Sequence, residues 1–252
     1  MREEPDLPGR LIIVEGVDGS GKSTQLDLLS KWLLGQGCVV VFSEWNSSPI
    51  VKSTTSRGKK RHILSPVSFS LIHAADFADR IHAQILPALR AGAVVVADRY
   101  VYTAFARDAV RGLDPDWLRT LYSFAVEPTL AFYFDVPLGE AVRRITTGRP
   151  AFKYYEAGMD LNLSLDPAES FRIYQGLIQT QYEKLVEEFG LIRMDGSQNL
   201  IRQQQLMRDL VRPHLDGVLR FDTAAVSEVL HEEGLLGRYL QLQGKPIPGT
   251  TP

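Results

Sequence analysis

Leu11-Ile12-Ile13-Val14-Glu15-Gly16-Val17-Asp18-Gly19-Ser20-Gly21-Lys22-Ser23-Thr24-Gln25-Leu26 is the stretch that decides the fold. A short apolar run of strand length leads into the spacing G-x-x-x-x-G-K-S, and a helical pattern carrying Leu26, Leu29 and Leu33 follows it. Glycines let the backbone bend around an anion, so that successive N–H groups and the helix N-terminus point at phosphate oxygens. In this context Gly16, Asp18, Gly19, Ser20, Gly21, Lys22, Ser23 and Thr24 form a candidate cradle for a nucleoside triphosphate such as ATP. Lys22 is placed to reach the β- and γ-phosphates, and the Ser23 hydroxyl to ligate Mg²⁺.

Working outward, further apolar runs stand at Cys38–Phe42, Ala93–Ala97, Leu130–Phe134 and Leu191–Met194, with helical patterns between them. Continuous apolar strands alternating with helices imply an α/β fold, a five-stranded parallel sheet flanked by helices on both faces. The patterns place a long helix over 66–89 interrupted near Pro87, two helices over 102–126, and others over 167–189 and 199–214. Within 102–126, Asp114 is the expected cap of the second helix, with Pro115 at its first position. Two segments show no periodicity. Residues 43–64 read as an irregular loop carrying Arg57, Lys59, Lys60, Arg61 and His62, a solvated stretch or a contact for an acceptor phosphate or another polyanion. Residues 147–166 read as a lid. The expected organisation is a nucleotide-binding domain over 1–212, with a C-terminal extension over 213–252 that is helical at 223–236 and flexible at its end.

The bulk numbers narrow the class. The 252 residues carry a net charge of −2, which argues against a nucleic-acid binder, and 44% hydrophobic with 23% charged residues is the balance of a folded soluble domain. The single cysteine, Cys38, forms no disulfide within the chain, and no apolar run has the length of a membrane span. Cytoplasmic localisation, without membrane partners, is the expectation.

The third strand delivers Asp98-Arg99-Tyr100 at its carboxyl end, the edge of an open parallel sheet where ligands bind. Asp98 is a candidate metal ligand through water, and the Arg99 fork is a candidate for a second phosphate. Taken in order, Glu15 through Gln25, Ala74-Ala75-Asp76, Ile85-Leu86-Pro87-Ala88-Leu89 and Val95 through Tyr100 resemble the thymidylate kinase family over roughly residues 10–200. The resemblance implies a P-loop kinase fold, ATP and Mg²⁺, transfer of the γ-phosphoryl group to a nucleoside monophosphate, and a homodimer. It assigns Arg99 to the acceptor phosphate and Asp18 to the metal or the acceptor sugar. Arg143, Arg144 and Arg149 resemble lid arginines, with Arg149 taken as the catalytic one. Tyr100 joins the acceptor side.

That acceptor side departs from the family. Ser43-Glu44-Trp45-Asn46-Ser47-Ser48-Pro49 replaces the usual Thr-Arg-Glu-Pro-Gly-Gly stretch. His73 stands where a base-stacking aromatic is usual and Phe77 where a base-binding arginine is usual, while Ala104 and Arg107 fall near a polar base contact and a tyrosine. His73 either stacks on a base or is a satisfied core histidine. dTMP is the first candidate acceptor. One alternative is a deoxynucleoside kinase with Glu44 as general base, and another is an ATP-binding regulatory module without turnover.

Overall fold

All five runs expected as strands form a single parallel sheet in the computed structural model, which describes residues 7–148 and 151–221. The strands are β1 (Arg10–Glu15), β2 (Val40–Glu44), β3 (Val94–Asp98), β4 (Leu130–Asp135) and β5 (Ile192–Asp195), in the order β2-β3-β1-β4-β5. The central β1 and β3, rich in Val and Ile, are buried on both faces, as a parallel sheet covered on two sides requires, while the edge strands β2 and β5 alternate buried and exposed positions. Register aligns the carboxyl ends: Val14 faces Asp98 on one side and Phe132 on the other, and Glu44 also faces Asp98. Chemistry delivered by these strands therefore converges on one edge.

One face is covered by α1 (Lys22–Gly35) and α9 (Leu200–Val211), whose Leu26, Leu29, Leu33, Met207 and Val211 pack on Ile12, Val14, Val96 and Phe132. The other face is covered by α3 (Pro66–Arg80), α4 (Leu86–Arg90), α5 (Val101–Val110) and α8 (Pro167–Phe189). Helix starts follow the sequence signals. Asp114 accepts from Trp117 N at 2.8 Å to cap α6 (Pro115–Leu121), and Asp166 and Asn199 cap α8 and α9. Pro87 has no N–H to return to Ala83, and a π-helical turn at Ile81–Ile85 takes up the break between α3 and α4.

The expectation of an irregular 43–64 is corrected: α2 (Lys52–Arg61) occupies its second half. An apolar stripe could not announce this helix, since only Thr55 and Gly58 are buried along it. Packing of Gly58 against Leu64 and the favourable placing of Lys59, Lys60 and Arg61 at its carboxyl end support it instead. After α7 (Leu138–Gly148), residues 151–166 form turns and one 3-10 turn at Met159–Leu161. β2 begins two residues later than expected, because Cys38 forms an isolated antiparallel bridge to Arg220. Residues 215–221 run along the sheet's amino edge, with Val39 N donating to Leu219 O at 2.9 Å and Leu215 and Val218 in the core. The helix expected over 223–236 and the final tail lie outside the described residues.

Candidate active site

The phosphate loop is shaped by backbone that only glycine adopts comfortably. Gly19 and Gly21 have φ of +85° and +87°, and a Cβ on Gly19 would lie 2.4 Å from the Ala141 carbonyl oxygen. Gly21 is the N-cap of α1, so the positive end of the helix faces the loop. Lys22 folds back over it and donates to Val17 O at 3.3 Å. Burial pushes its ammonium down to about 8, Arg99 adds to the shift, and Asp18 and Asp98 oppose it. The Ser20 hydroxyl is buried without a partner. Thr24 lies exposed on the first turn of α1.

Ser23 and Asp98 meet across the junction: Ser23 Oγ donates to Asp98 Oδ2 at 2.5 Å, while Asp98 Oδ1 is buried without a partner. This oxygen pair fits a hard divalent cation that keeps water and phosphate oxygens as its remaining ligands. Among the described residues no group of three or more His, Cys, Asp or Glu side chains could hold a metal alone.

Arg99 occupies the left-handed region at φ +71°, uncommon for a residue with a Cβ. Its guanidinium swings back over the loop to the Asp18 carboxylate. From α5, Arg107 Nη2 donates to both Asp18 oxygens at 3.0 Å. Burial works against the Asp18 charge, but Arg107, Arg99 and Lys22 together hold its carboxyl far below the usual carboxylate range. Two guanidinium groups thus converge on one anionic group beside the loop.

Glu15 was quoted in the motif but given no role by sequence reasoning. Fully buried, it accepts from Tyr100 N at 2.7 Å, Thr103 N at 3.1 Å, Thr103 Oγ1 at 2.6 Å and Tyr182 OH at 2.7 Å. Burial raises its carboxyl and these donors pull it down. The bonds clamp the turn that carries Arg99 onto the start of α5. Gln175 was also missed. Its Oε1 accepts from Asp18 N at 3.2 Å and its Nε2 donates to Glu156 O at 3.1 Å, linking the phosphate loop to residues 151–166. A charged residue ending an apolar strand was the available signal for Glu15; nothing marked Gln175.

On the acceptor side, Asp76 accepts from Asn46 N at 3.0 Å and Ser48 N at 2.8 Å, and Arg80, fully buried, donates to Ser43 Oγ. Trp45 stacks on His73 at 5.9 Å between ring centroids. His73 is the satisfied core histidine of the two readings, with Nδ1 on Phe69 O at 3.0 Å and Nε2 on Lys59 Nζ at 3.3 Å. Desolvation holds its imidazole well below the ordinary value. Two site expectations are corrected. Tyr100 is fully buried with its hydroxyl on Val126 O at 2.8 Å, so its side chain points into the core, and Phe77 packs edge-on against it with no exposure. Glu44 is exposed at the end of β2. The cations expected together separate: Lys59 turns inward to His73, and His62 stacks on Tyr154 at 3.7 Å.

Of the lid arginines, Arg143 turns out to solvent beside Glu140, and Arg149 lies outside the described residues. Arg144 is the one at the phosphate loop. It donates to Gly196 O at 3.0 Å and approaches Ser20 O at 3.4 Å. Residues 151–166 are anchored by Arg111, which donates to Asp160 at 2.8 Å, to Tyr155 O at 3.0 Å and to the Tyr174 hydroxyl.

A backbone cradle with a lysine, a hydroxyl–carboxylate pair for a cation and two converging arginines can bind two phosphate groups end to end and neutralise charge between them. No helix among the described residues is long and apolar enough to cross a membrane. A sequence model of the family described as thymidylate kinase matches residues 14–186. The chain is 42% identical over 214 residues to the probable thymidylate kinase 2 of Saccharolobus solfataricus, covering 84% of this chain and 100% of that protein. It is 34% identical over 212 residues to the probable thymidylate kinase of Thermococcus gammatolerans, covering 81% of this chain and 94% of that protein. With the thymidylate kinase of Desulfotalea psychrophila it shares 34% identity over 143 residues, 56% of this chain and 71% of that one.

Proposed function

Because the chain belongs to the thymidylate kinase family, and is with it an ATP-dependent nucleoside monophosphate kinase, we propose that dTMP is its acceptor and that Mg²⁺ accompanies ATP. In this reading Arg99 and Arg107 jointly hold the acceptor phosphate. The observation that carries it is the grip of both guanidinium groups on Asp18 next to Lys22. An arginine pair already organised around one anionic group suits a phosphate dianion, and Asp18 hands the pair over as that phosphate enters.

Phosphoryl transfer asks the protein for position and charge rather than covalent chemistry. The acceptor phosphate is itself the anionic nucleophile, so no general base is needed. Lys22 and the loop amides hold the donor's β- and γ-phosphates, and Arg144, above the loop, takes the lid role expected of Arg149. Ser23 and Asp98 would hold Mg²⁺, which when bound neutralises phosphate oxygens. Residues 151–166, anchored by Arg111, exclude water from the transferring group. The deoxynucleoside kinase reading with Glu44 as base is not favoured, since family membership implies a monophosphate acceptor.

A panel of dTMP, dUMP, UMP, CMP, AMP, GMP and the free nucleosides, read as ADP formed, tests the proposal. The expected result is turnover with monophosphates only and dTMP the best of them. Phosphorylation of nucleosides alone would overturn it, and tight ATP binding with no turnover would favour a regulatory module. The proposal includes a cytoplasmic homodimer paired through the outer face of α3, where Val67 and Leu71 lie exposed one turn apart. Leu71→Glu is then expected to sediment as a monomer.

A further inference from the structure

Between α3 and α5, Ser70 Oγ, Asp108 Oδ2 and Arg107 Nε are buried; the Ser70 hydroxyl faces the Asp108 carboxyl, but none of the three has a partner at good hydrogen-bonding distance and angle. Buried polar atoms nearly always have partners, so three orphans from facing helices mark a place where an incoming molecule supplies them. Asp108 is 3% exposed and Ser70 not at all. Asp108 stands one turn after Ala104, on the same side of α5. Phe77 and Ala104 have no side-chain hydrogen-bonding group. The polar reading of a ring here falls to the orphans.

The other groups around this carboxyl are Lys59 from α2, Arg107 and Arg111 from α5 itself, and Tyr122 after α6. Burial pushes Asp108 up to about 6, against Ser70 and those cations. It is thus an acceptor at working pH with a large incentive to gain a donor.

Resting on the dTMP reading, we propose that Asp108 is the residue that reads the base: its carboxylate accepts the N3–H of thymine, while Ser70 Oγ–H and Arg107 Nε–H serve the carbonyls on either side. One acceptor between two donors complements the acceptor–donor–acceptor edge shared by thymine and uracil. Cytosine would set the N3 lone pair against the carboxylate, and guanine would set its amino group against a donor. Arg107, which also reaches Asp18, is on the side where the sugar-proximal O2 belongs.

The test compares dTMP, N3-methyl-dTMP and dCMP on the full chain and on Asp108→Leu and Asp108→Asn. For the unmodified protein, the N3-methyl analogue is expected to raise the acceptor KM roughly 10- to 100-fold, the loss of one charge-assisted bond. Asp108→Leu should raise KM for dTMP by a similar factor and use dTMP and its N3-methyl analogue equally, with KM for ATP unchanged. Asp108→Asn keeps a carbonyl acceptor and adds an N–H₂ donor, so dTMP use should largely survive and dCMP use should rise relative to it. A merely structural role would not move that ratio. Equal use of dTMP and its N3-methyl analogue by the unmodified protein overturns the inference without any variant having to fold, as does discrimination retained by Asp108→Leu. Failure of the dTMP reading itself looks different: no turnover of dTMP beside turnover of another acceptor.

Discussion

The phosphate loop and the acceptor loop leave the carboxyl ends of β1 and β2, on either side of β3, yet they are held in opposite ways. Residues 16–21 take their shape chiefly from their own backbone, with glycines at positive φ and the start of α1 supplying the amides, and one amide, Asp18 N, is held from outside by Gln175. Residues 45–48 are fixed by side chains from another element. Asp76 on α3 takes two of their amides, Asp79 takes the Ser48 hydroxyl, and Arg80 reaches Ser43 from below. A backbone cradle tolerates little sequence change, whereas a loop pinned from outside can be rebuilt as long as the pins move with it. The donor half carries its chemistry in one contiguous motif and the acceptor half carries none, which is the outcome that difference produces.

The largest expected effect falls on the backbone-built half. Lys22→Met should lower kcat by on the order of 10³-fold with every acceptor, because the ammonium matters most where charge develops on the transferring group. Thermal unfolding should change little or improve, since the variant removes a buried cation held at a depressed pKa. Acceptor-dependent losses, large for dTMP and small for others, would break the assignment of Lys22 to the donor.

This asymmetry also decides what could be read in the chain. The sheet, its helices and the phosphate cradle were legible because continuous apolar runs of strand length, an apolar period of 3.6 and one contiguous motif carry them. α2 was not, because a helix with only Thr55 and Gly58 buried shows no apolar stripe. Tyr100 and Phe77 sit in the right stretches but turn into the core, a matter of side-chain direction that spacing from a motif does not contain. Glu15 acts through partners 85 to 167 residues away, and Gln175 reaches the phosphate loop across 157 residues, beyond any local pattern.

The next effect sharpens the boundary between the halves. Arg107 is on α5, outside both loops, and Arg107→Ala should raise the acceptor KM by about 10- to 100-fold, the range for losing charge-assisted bonds to a phosphate. KM for ATP should stay within about twofold. Arg107→Lys restores the charge without the fork, and should recover only part of the loss. Equal damage to both KM values would mean that Asp18, released from Arg107, disorders the phosphate loop, and the two halves would then be a single unit.

A pH profile probes the donor half alone. Lys22 has its ammonium pushed down to about 8 in the free protein, and a polyphosphate favours the charged form. Below pH 8 the lysine is already protonated and KM for ATP should be flat. Above it the protein must take up a proton on binding, so KM should climb about tenfold per pH unit. In Lys22→Arg the guanidinium stays charged throughout and the limb should vanish; a limb that persists assigns the titration to another group.

The smallest effect is expected from Ser48→Ala, and it tests the pinning directly. Ser48 is fully buried, its hydroxyl donates to Asp79 at 2.7 Å and accepts from Ile50 N at 3.2 Å, and its amide is held separately by Asp76 at 2.8 Å. Alanine removes the hydroxyl and leaves the amide pin in place. Loss of such a bond costs about 1–2 kcal/mol, a fall in Tm of roughly 2–8 °C for a domain of this size. The loop should loosen only partly, and the acceptor KM should rise about two- to fivefold. KM for ATP should not move, because no pin of the acceptor loop touches residues 16–21. A matching rise for ATP would show that α3 steadies both loops through β3, and independence of the two halves would have to be abandoned even with every contact in place.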